Sequence, residues 1–390
     1  MHSKEPLDFI IPLLKTPRIF AKTAKSLYVK HVKALRDYEK STDGKSSINI
    51  QQISIKITNA CNLRCKTCGQ WGETGYNLGK PTSELKKIVP LERYLKLADD
   101  IKKDRPIYYI WGGEPFLYPS IMDFTARIKG NKSILAIVTN ATMLKSYAKE
   151  IVSQNWDALM FSLDGPEEIH DKIRGKKGTF QKVAEGIQKV QKYKKDMGKK
   201  LPWIIPLVTI SVDNAAWLDK IFETGKIINT DCMVVYYSWF TNHKIGEAHT
   251  RIFQEKLGIT PTAWQGYLFD HNVDTDALQG SLTRIRATKW GFPYIFIPNL
   301  KNEQLPEYFK NPGNFFGFGP CISPWYVTEL MPNGDVAPCR DYPDYVTGNL
   351  MESSIYDIWN GEKYRKFRKV LKENGGTFPI CARCCGLMGW

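Results

Sequence analysis

Between residues 51 and 240, short apolar runs rich in β-branched residues alternate with helical patterns. The runs cover residues 54–58, 107–111, 134–139, 158–163, 204–210 and 233–240. The spacing predicts helices at 91–103, 121–128, 143–153, 179–193 and 217–228. In the 179–193 segment, Phe180, Val183, Ile187 and Val190 form one apolar stripe. Such alternation builds a parallel sheet with right-handed crossovers. In parallel α/β folds, chemistry gathers at the C-terminal ends of the strands.

Cys61, Cys65 and Cys68 follow the first run, spaced C-x3-C-x2-C. With no fourth cysteine or histidine nearby, a tetrahedral zinc site is short of a ligand. A cubic 4Fe–4S cluster uses one thiolate per iron, so three cysteines leave one iron open for a substrate or cofactor. On spacing alone, a structural metal knuckle or three free core thiols stay open. The nine cysteines include a second group, Cys321, Cys339, Cys381, Cys384 and Cys385, with Cys232 expected in the core. This is no small disulfide scaffold. Grouping of this kind in a long chain suggests metal ligation in a reducing compartment, hence a cytoplasmic protein.

Trp111-Gly112-Gly113-Glu114-Pro115 follows the second run. Thr139-Asn140 ends the third, and Ser162-Leu163-Asp164-Gly165 ends the fourth, with Arg174 soon after. The cysteine loop and these segments together resemble the radical S-adenosylmethionine (radical SAM) superfamily. The resemblance implies an α/β fold, a partial (β/α)6 TIM-like barrel. It implies that Cys61, Cys65 and Cys68 hold a 4Fe–4S cluster whose open iron chelates S-adenosylmethionine. Gly112, Gly113, Glu114 and Pro115 match the family's GGEP motif, which meets the methionine amino group. Asn140, Ser162 and Asp164 are then expected near the ribose, and Arg174 at the cofactor carboxylate. Thr67 departs from the family, which has an aromatic residue there beside the adenine.

The late cysteines read as C-x12-G-x4-C followed by C-x2-C, with Gly334 in a Pro332-Asn333-Gly334 hairpin turn. Strands are expected at 327–330 and 335–339, and one helix at 353–371. The pattern resembles the SPASM domain in its shortened twitch form. It implies a small C-terminal α+β iron–sulfur domain in which Cys321, Cys339, Cys381 and Cys384 close an auxiliary 4Fe–4S cluster. Cys385 is a substitute ligand or a free thiol. A structural zinc on the same four thiolates stays open.

The domains expected are an arm and linker (1–50), a partial barrel with a helical extension (51–300) and the cluster domain (301–390). Residues 302–319 read as a connecting segment. The formal charge is +15, but no nucleic-acid-binding signature accompanies it. Residues 9–36 hold seven Lys/Arg and no Asp or Glu. In a predicted helix at 18–38, Phe20, Ala24, Leu27, Tyr28, His31 and Leu35 share one face. That helix lies on an anionic membrane or packs on the body of the protein; both stay open.

The resemblance implies reductive cleavage of S-adenosylmethionine to a 5′-deoxyadenosyl radical that abstracts hydrogen from an unactivated C–H bond. The auxiliary cluster would assist oxidation, cross-linking or positioning. A one-electron reductant such as flavodoxin or ferredoxin is implied. The basic arm raises a lipid or lipid-linked substrate. A peptide maturase or a sugar-modifying enzyme is the alternative; about fifty residues before the barrel are too few for a winged-helix leader-recognition domain. The non-enzyme rival is an iron–sulfur electron-transfer protein.

Overall fold

A computed structural model describes residues 16–389 of the chain. Its strands are β1 (Gln52–Lys56), β2 (Ile107–Trp111), β3 (Ile134–Thr139), β4 (Ala158–Ser162), β5 (Trp203–Thr209), β6 (Met233–Tyr236), β7 (Tyr294–Ile297), β8 (Val327–Leu330), β9 (Asp335–Ala337) and β10 (Gly348–Asn349). They form one sheet in the order β10-β9-β8-β1-β2-β3-β4-β5-β6-β7. From β1 to β7 each strand runs parallel to the one before it. This is the expected partial barrel, with β7 added at one edge.

The other edge differs more from expectation. The β8–β9 hairpin forms where Asn333-Gly334 predicts it, but β8 also pairs in parallel with β1, Ser54 opposite Glu329. The sheet therefore runs without a break from the barrel into the C-terminal unit. The single helix expected at 353–371 is two, Ile355–Trp359 and Glu362–Glu373. The chain turns between them at Gly361, where a Cβ would lie 2.9 Å from the Asp357 carbonyl oxygen. The expected connector at 302–319 contains a helix, Leu305–Lys310, and a further unpredicted helix covers Glu167–Arg174.

Alternation along the strands divides two environments. Tyr108 and Ile110 of β2 and Leu135 and Ile137 of β3 point outward into the main core under the helices. Ile205 and Leu207 of β5, Val234 of β6 and Ile297 of β7 cluster together inside the barrel, along with Cys232. Inside the barrel is a cavity of about 900 Å3, lined by Tyr109, Met160, Trp203 and Ile295 among others.

The arm is one continuous helical stretch: Pro17–Tyr28, a π-helical turn Val29–Ala34, then Leu35–Lys40. Residues 9–15 of the basic segment lie outside the described residues. Arg18 donates to the carbonyls of Lys132 (2.9 Å) and Ser133 (2.8 Å), and Lys22 donates to that of Arg105 (2.6 Å). Those carbonyls stand just before β3 and β2, so the arm crosses the N-terminal ends of the strands. Ile19, Phe20, Thr23, Ala24 and Leu27 line the cavity from below. The partial exposure of Phe20 and Leu27, 38% each, is thus in part exposure to the lumen. Tyr28 and Val32 are exposed, while Leu35 packs on a second core shared with the C-terminal unit.

The segment 41–47, read from sequence as a linker, is bound down. The Ser46 hydroxyl donates to the Trp325 carbonyl (2.8 Å), and the Ser46 N–H donates to the Asn360 side chain (2.9 Å). Arg368 is fully buried and donates to the carbonyls of Pro324 (2.7 Å) and Gly44 (3.2 Å) and to Asn360 Oδ1 (2.9 Å). Its guanidinium also lies 4.3 Å from the ring centres of Trp359 and Tyr364. Replacing Arg368 by Leu leaves two buried carbonyls without this donor and is expected to lower stability by about 3 kcal/mol. Chemical denaturation checks this; an unchanged midpoint would show that the arm and the C-terminal unit do not depend on Arg368.

Candidate active site

The cysteine loop leaves the C-terminal end of β1 and is held from three sides. The first is the segment after β2: the N–H groups of Gly113 and Glu114 donate to the carbonyls of Thr58 and Ala60, both at 2.8 Å. A Cβ at Gly113 would lie 2.0 Å from the Ala60 oxygen, closer than any side chain permits. The paired glycines thus let this segment approach the root of the cysteine loop. The second is the end of β3: Asn140 Nδ2 donates to Asn62 Oδ1 (2.7 Å), and Asn62 Nδ2 donates to the Thr142 hydroxyl (2.9 Å). The third is the helix after β4, where the Lys66 N–H donates to the Ile173 carbonyl (2.9 Å). Beside it Gly175 has φ +70°, and a Cβ there would lie 2.5 Å from the Arg64 oxygen.

The residues expected at the cofactor are brought together here, but several face one another. Glu114 is fully buried. Its Oε1 accepts from the Thr139 hydroxyl (2.7 Å) and the Phe116 N–H (3.2 Å), and its Oε2 accepts from the Asn140 N–H (2.8 Å). Burial raises its carboxyl to about 7, against the pull of those hydrogen bonds. In this geometry Glu114 braces the ends of β2 and β3. Pro115 opens a buried turn directly after it. Arg174 forms an ion pair with Asp164, and its Nη1 lies 3.7 Å from Cys65 Sγ. Asn140 Nδ2 lies 4.0 Å from Cys61 Sγ. Ser162 stands half-buried at the end of β4.

Cys61, Cys65 and Cys68 are free thiols. Burial raises Cys61 to about 11 and also raises Cys65. As thiolates they need a cation to compensate them, which iron supplies. Cys321, Cys339, Cys381 and Cys384 are also free, and all four open onto the barrel cavity. Burial raises Cys381 to about 12. Among the described residues no three His, Cys, Asp or Glu side chains converge on one metal-ion position. A cubic cluster does not need that, because each thiolate takes its own iron. Both cysteine sets therefore fit iron–sulfur clusters. Cys385 stands apart: it packs against the apolar cluster inside the barrel, and Arg340 Nη2 lies 3.4 Å from its Sγ.

Residues 55–213 match the radical SAM superfamily, and residues 321–385 match SPASM, an iron–sulfur cluster-binding domain. The chain belongs to the radical SAM superfamily and carries a SPASM domain. Its cofactors are accordingly S-adenosylmethionine and 4Fe–4S clusters. It is similar to a tungsten-containing aldehyde ferredoxin oxidoreductase cofactor-modifying protein of Pyrococcus furiosus, at 25% identity over 86% of this chain and 87% of that one. It is also similar to a cysteine-type anaerobic sulfatase-maturating enzyme of Clostridium novyi, at 27% identity over 83% and 84%. Among solved structures, Streptococcus suis SuiB shares the fold, with a TM-score of 0.57 at 15% identity over 86% of this chain and 75% of that one.

Sequence reading found the cysteines of this radical SAM protein and the strand-end segments. It gave no role to Asn62, Gly175 or Arg340. The pairing of Asn62 with Asn140 and Thr142 crosses about eighty residues of chain and leaves no local signal. Substituting Ala for Gly113 must displace the Ala60 carbonyl, and with it the loop root. The expected result is loss of most iron bound at Cys61, Cys65 and Cys68 after reconstitution, with the SPASM iron retained. Iron analysis with Mössbauer spectroscopy reads this; full iron content in G113A would mean the loop tolerates the shift.

Proposed function

We propose that the chain is an enzyme in which Cys61, Cys65 and Cys68 hold a 4Fe–4S cluster and Cys321, Cys339, Cys381 and Cys384 hold a second one. When bound, the first cluster with S-adenosylmethionine supplies a 5′-deoxyadenosyl radical, which takes hydrogen from an unactivated C–H bond of the substrate. The protein's part is placement and exclusion of water. Gly112, Gly113, Glu114 and Pro115 shape the wall beside the cysteine loop, with Asn140, Ser162, Asp164 and Arg174 around the cofactor. A flavodoxin- or ferredoxin-like reductant supplies the electron.

The observation that carries this reading is the barrel cavity. It is lined by the inward faces of the strands and by the four late thiols, and the early cysteine loop stands on the C-terminal rim of the same barrel. Mainly apolar walls suit a compact, largely apolar reacting group. The relatives modify a cofactor and a sulfatase by name, so they do not choose the substrate. The arm lends a lipid substrate little support, because much of its apolar face is the cavity floor. Peptide and sugar substrates remain in the reading.

Replacing Cys61, Cys65 and Cys68 together by Ala is expected to remove roughly half the iron and all cleavage of S-adenosylmethionine. Formation of 5′-deoxyadenosine by the reduced protein is the measurement. Undiminished cleavage would sink the assignment, and wild-type protein that binds clusters but cleaves nothing would favour an electron-transfer role.

A second reading, peripheral contact with an anionic membrane, has one observation in its favour. Lys22, Lys25, Lys102, Lys103, Arg105 and Lys132 surround one depression beside the arm, with Asp104 the sole acid in its lining. Among the described residues none of the six cations forms a salt bridge. Each basic group near an anionic leaflet contributes about 1 kcal/mol. Co-sedimentation with vesicles holding phosphatidylglycerol, but not with neutral ones, is expected and should weaken with salt. Equal behaviour toward both vesicle types would remove the reading.

A further inference from the structure

Arg340, the residue after Cys339, points into the barrel rather than away from it. It lines the cavity and keeps 22% of its side-chain surface open. Its guanidinium sits among three rings, 5.5 Å from the centre of Tyr109, 5.8 Å from Trp111 and 5.7 Å from Trp239. Its polar contacts are few: it forms an ion pair with Asp341, Nε donating to Oδ1 at 3.3 Å, and Nη2 approaches Cys385 Sγ at 3.4 Å. Arginine carries more N–H donors than those contacts use. The Asp341 carboxylate balances the charge, but it does not take up every donor of the guanidinium.

A second observation points to the same place. Glu329 of β8 also lines the cavity, is only 6% exposed, and its Oε2 has no hydrogen-bond partner. The strand register sets it beside Ser54 of β1, which lies beside Tyr109 of β2. Burial lifts the Glu329 carboxyl to about 8. At neutral pH it is mostly the neutral acid, which can donate a hydrogen bond to an anion. The cavity thus offers a guanidinium with donors to spare and an acid with one unpartnered oxygen, with the Cys385 thiol next to the guanidinium. The remaining surface is largely apolar.

We infer that the lumen takes its substrate by a carboxylate group, gripped by Arg340 with help from Glu329, so that the carbon next to that carboxylate lies against Cys385. A planar carboxylate matches the fork of a guanidinium. The inference rests on the reading above only in that the lumen is the substrate site. The competing account is that Arg340 merely balances the negative charge of the auxiliary thiolates. Against that account, Cys384 faces Asp341 at 3.9 Å, while the sulfur that Arg340 meets belongs to Cys385.

Affinity alkylation tests this without radical chemistry, so its failure is separable from failure of the enzymatic reading. The anaerobically reconstituted holoenzyme is treated with iodoacetate or with neutral iodoacetamide. The Cys385 sulfur displaces iodide from the CH2 group, an S–C bond forms, and the thiol proton goes to solvent. Peptide mass spectrometry reads labelling at Cys385. Iodoacetate is expected to label it with saturation and at least about tenfold faster than iodoacetamide, a preference equal to about 1.4 kcal/mol. Millimolar acetate should protect it. Arg340→Gln should abolish the preference and Arg340→Lys keep part of it. The wild-type ratio and the acetate protection need no variant, so misfolding of either variant leaves the test intact. A faster reaction with iodoacetamide, no acetate protection, or no labelling by either reagent would overturn the inference.

Discussion

The pairing of β1 with two parallel partners sets the geometry of both cysteine groups. On one side β2 delivers the Gly112-Gly113 segment onto the root of the early cysteine loop. On the other side β8 runs into the hairpin whose second strand leads to Cys339. One strand therefore fixes how the two halves of the site lie relative to each other. Hydrogen-bonded ladders allow no gradual sliding, because a one-residue slip would turn each inward side chain outward. Ser54, Tyr109 and Glu329 share a layer of the lumen only because that double register holds.

Much of this architecture was legible in the sequence. The limits of β2, β3 and β8 match the apolar runs closely enough to name their residues, since β-branched and aromatic residues ended at polar or glycine-containing turns. The cysteine spacings carried the chemistry. Three kinds of feature were not legible. Partner choice was one: nothing local in 327–330 says that it joins β1. Direction was another. Glu114, Asp164 and Arg174 do gather beside the cysteine loop, yet Glu114 faces inward to Thr139 and Asn140, and Asp164 and Arg174 face each other. Burial was the third. A polar 41–47 stretch looks like a linker until Arg368, far along the chain, is seen to hold its carbonyl at Gly44.

Buried cations recur in this molecule, and each has a different compensation. Lys56 sits 4.8 Å from the centre of the Tyr76 ring, and burial lowers it to about 7. Arg383 is held by carbonyls, its Nη atoms donating to those of Tyr308, Asn311, Asn314 and Ala382. It thereby fastens the helix Leu305–Lys310 to the loop that bears Cys381 and Cys384. Arg174 has the Asp164 carboxylate. Arg340 has the Asp341 carboxylate but also opens onto the cavity, which is why its surroundings read as a place for a ligand rather than as packing.

The docking of the arm has a consequence for how the chain is made. Its helix and the following segment rest on carbonyls before β2 and β3 and on Asn360, Arg368 and Lys372 of the C-terminal unit. Synthesis proceeds at roughly 5–20 residues per second. This early helix therefore waits for tens of seconds after synthesis before its last partners exist. During that interval a basic, amphipathic helix has its apolar face uncovered. Closure of the barrel floor is then among the final steps of folding, and clusters inserted before it would enter an open barrel.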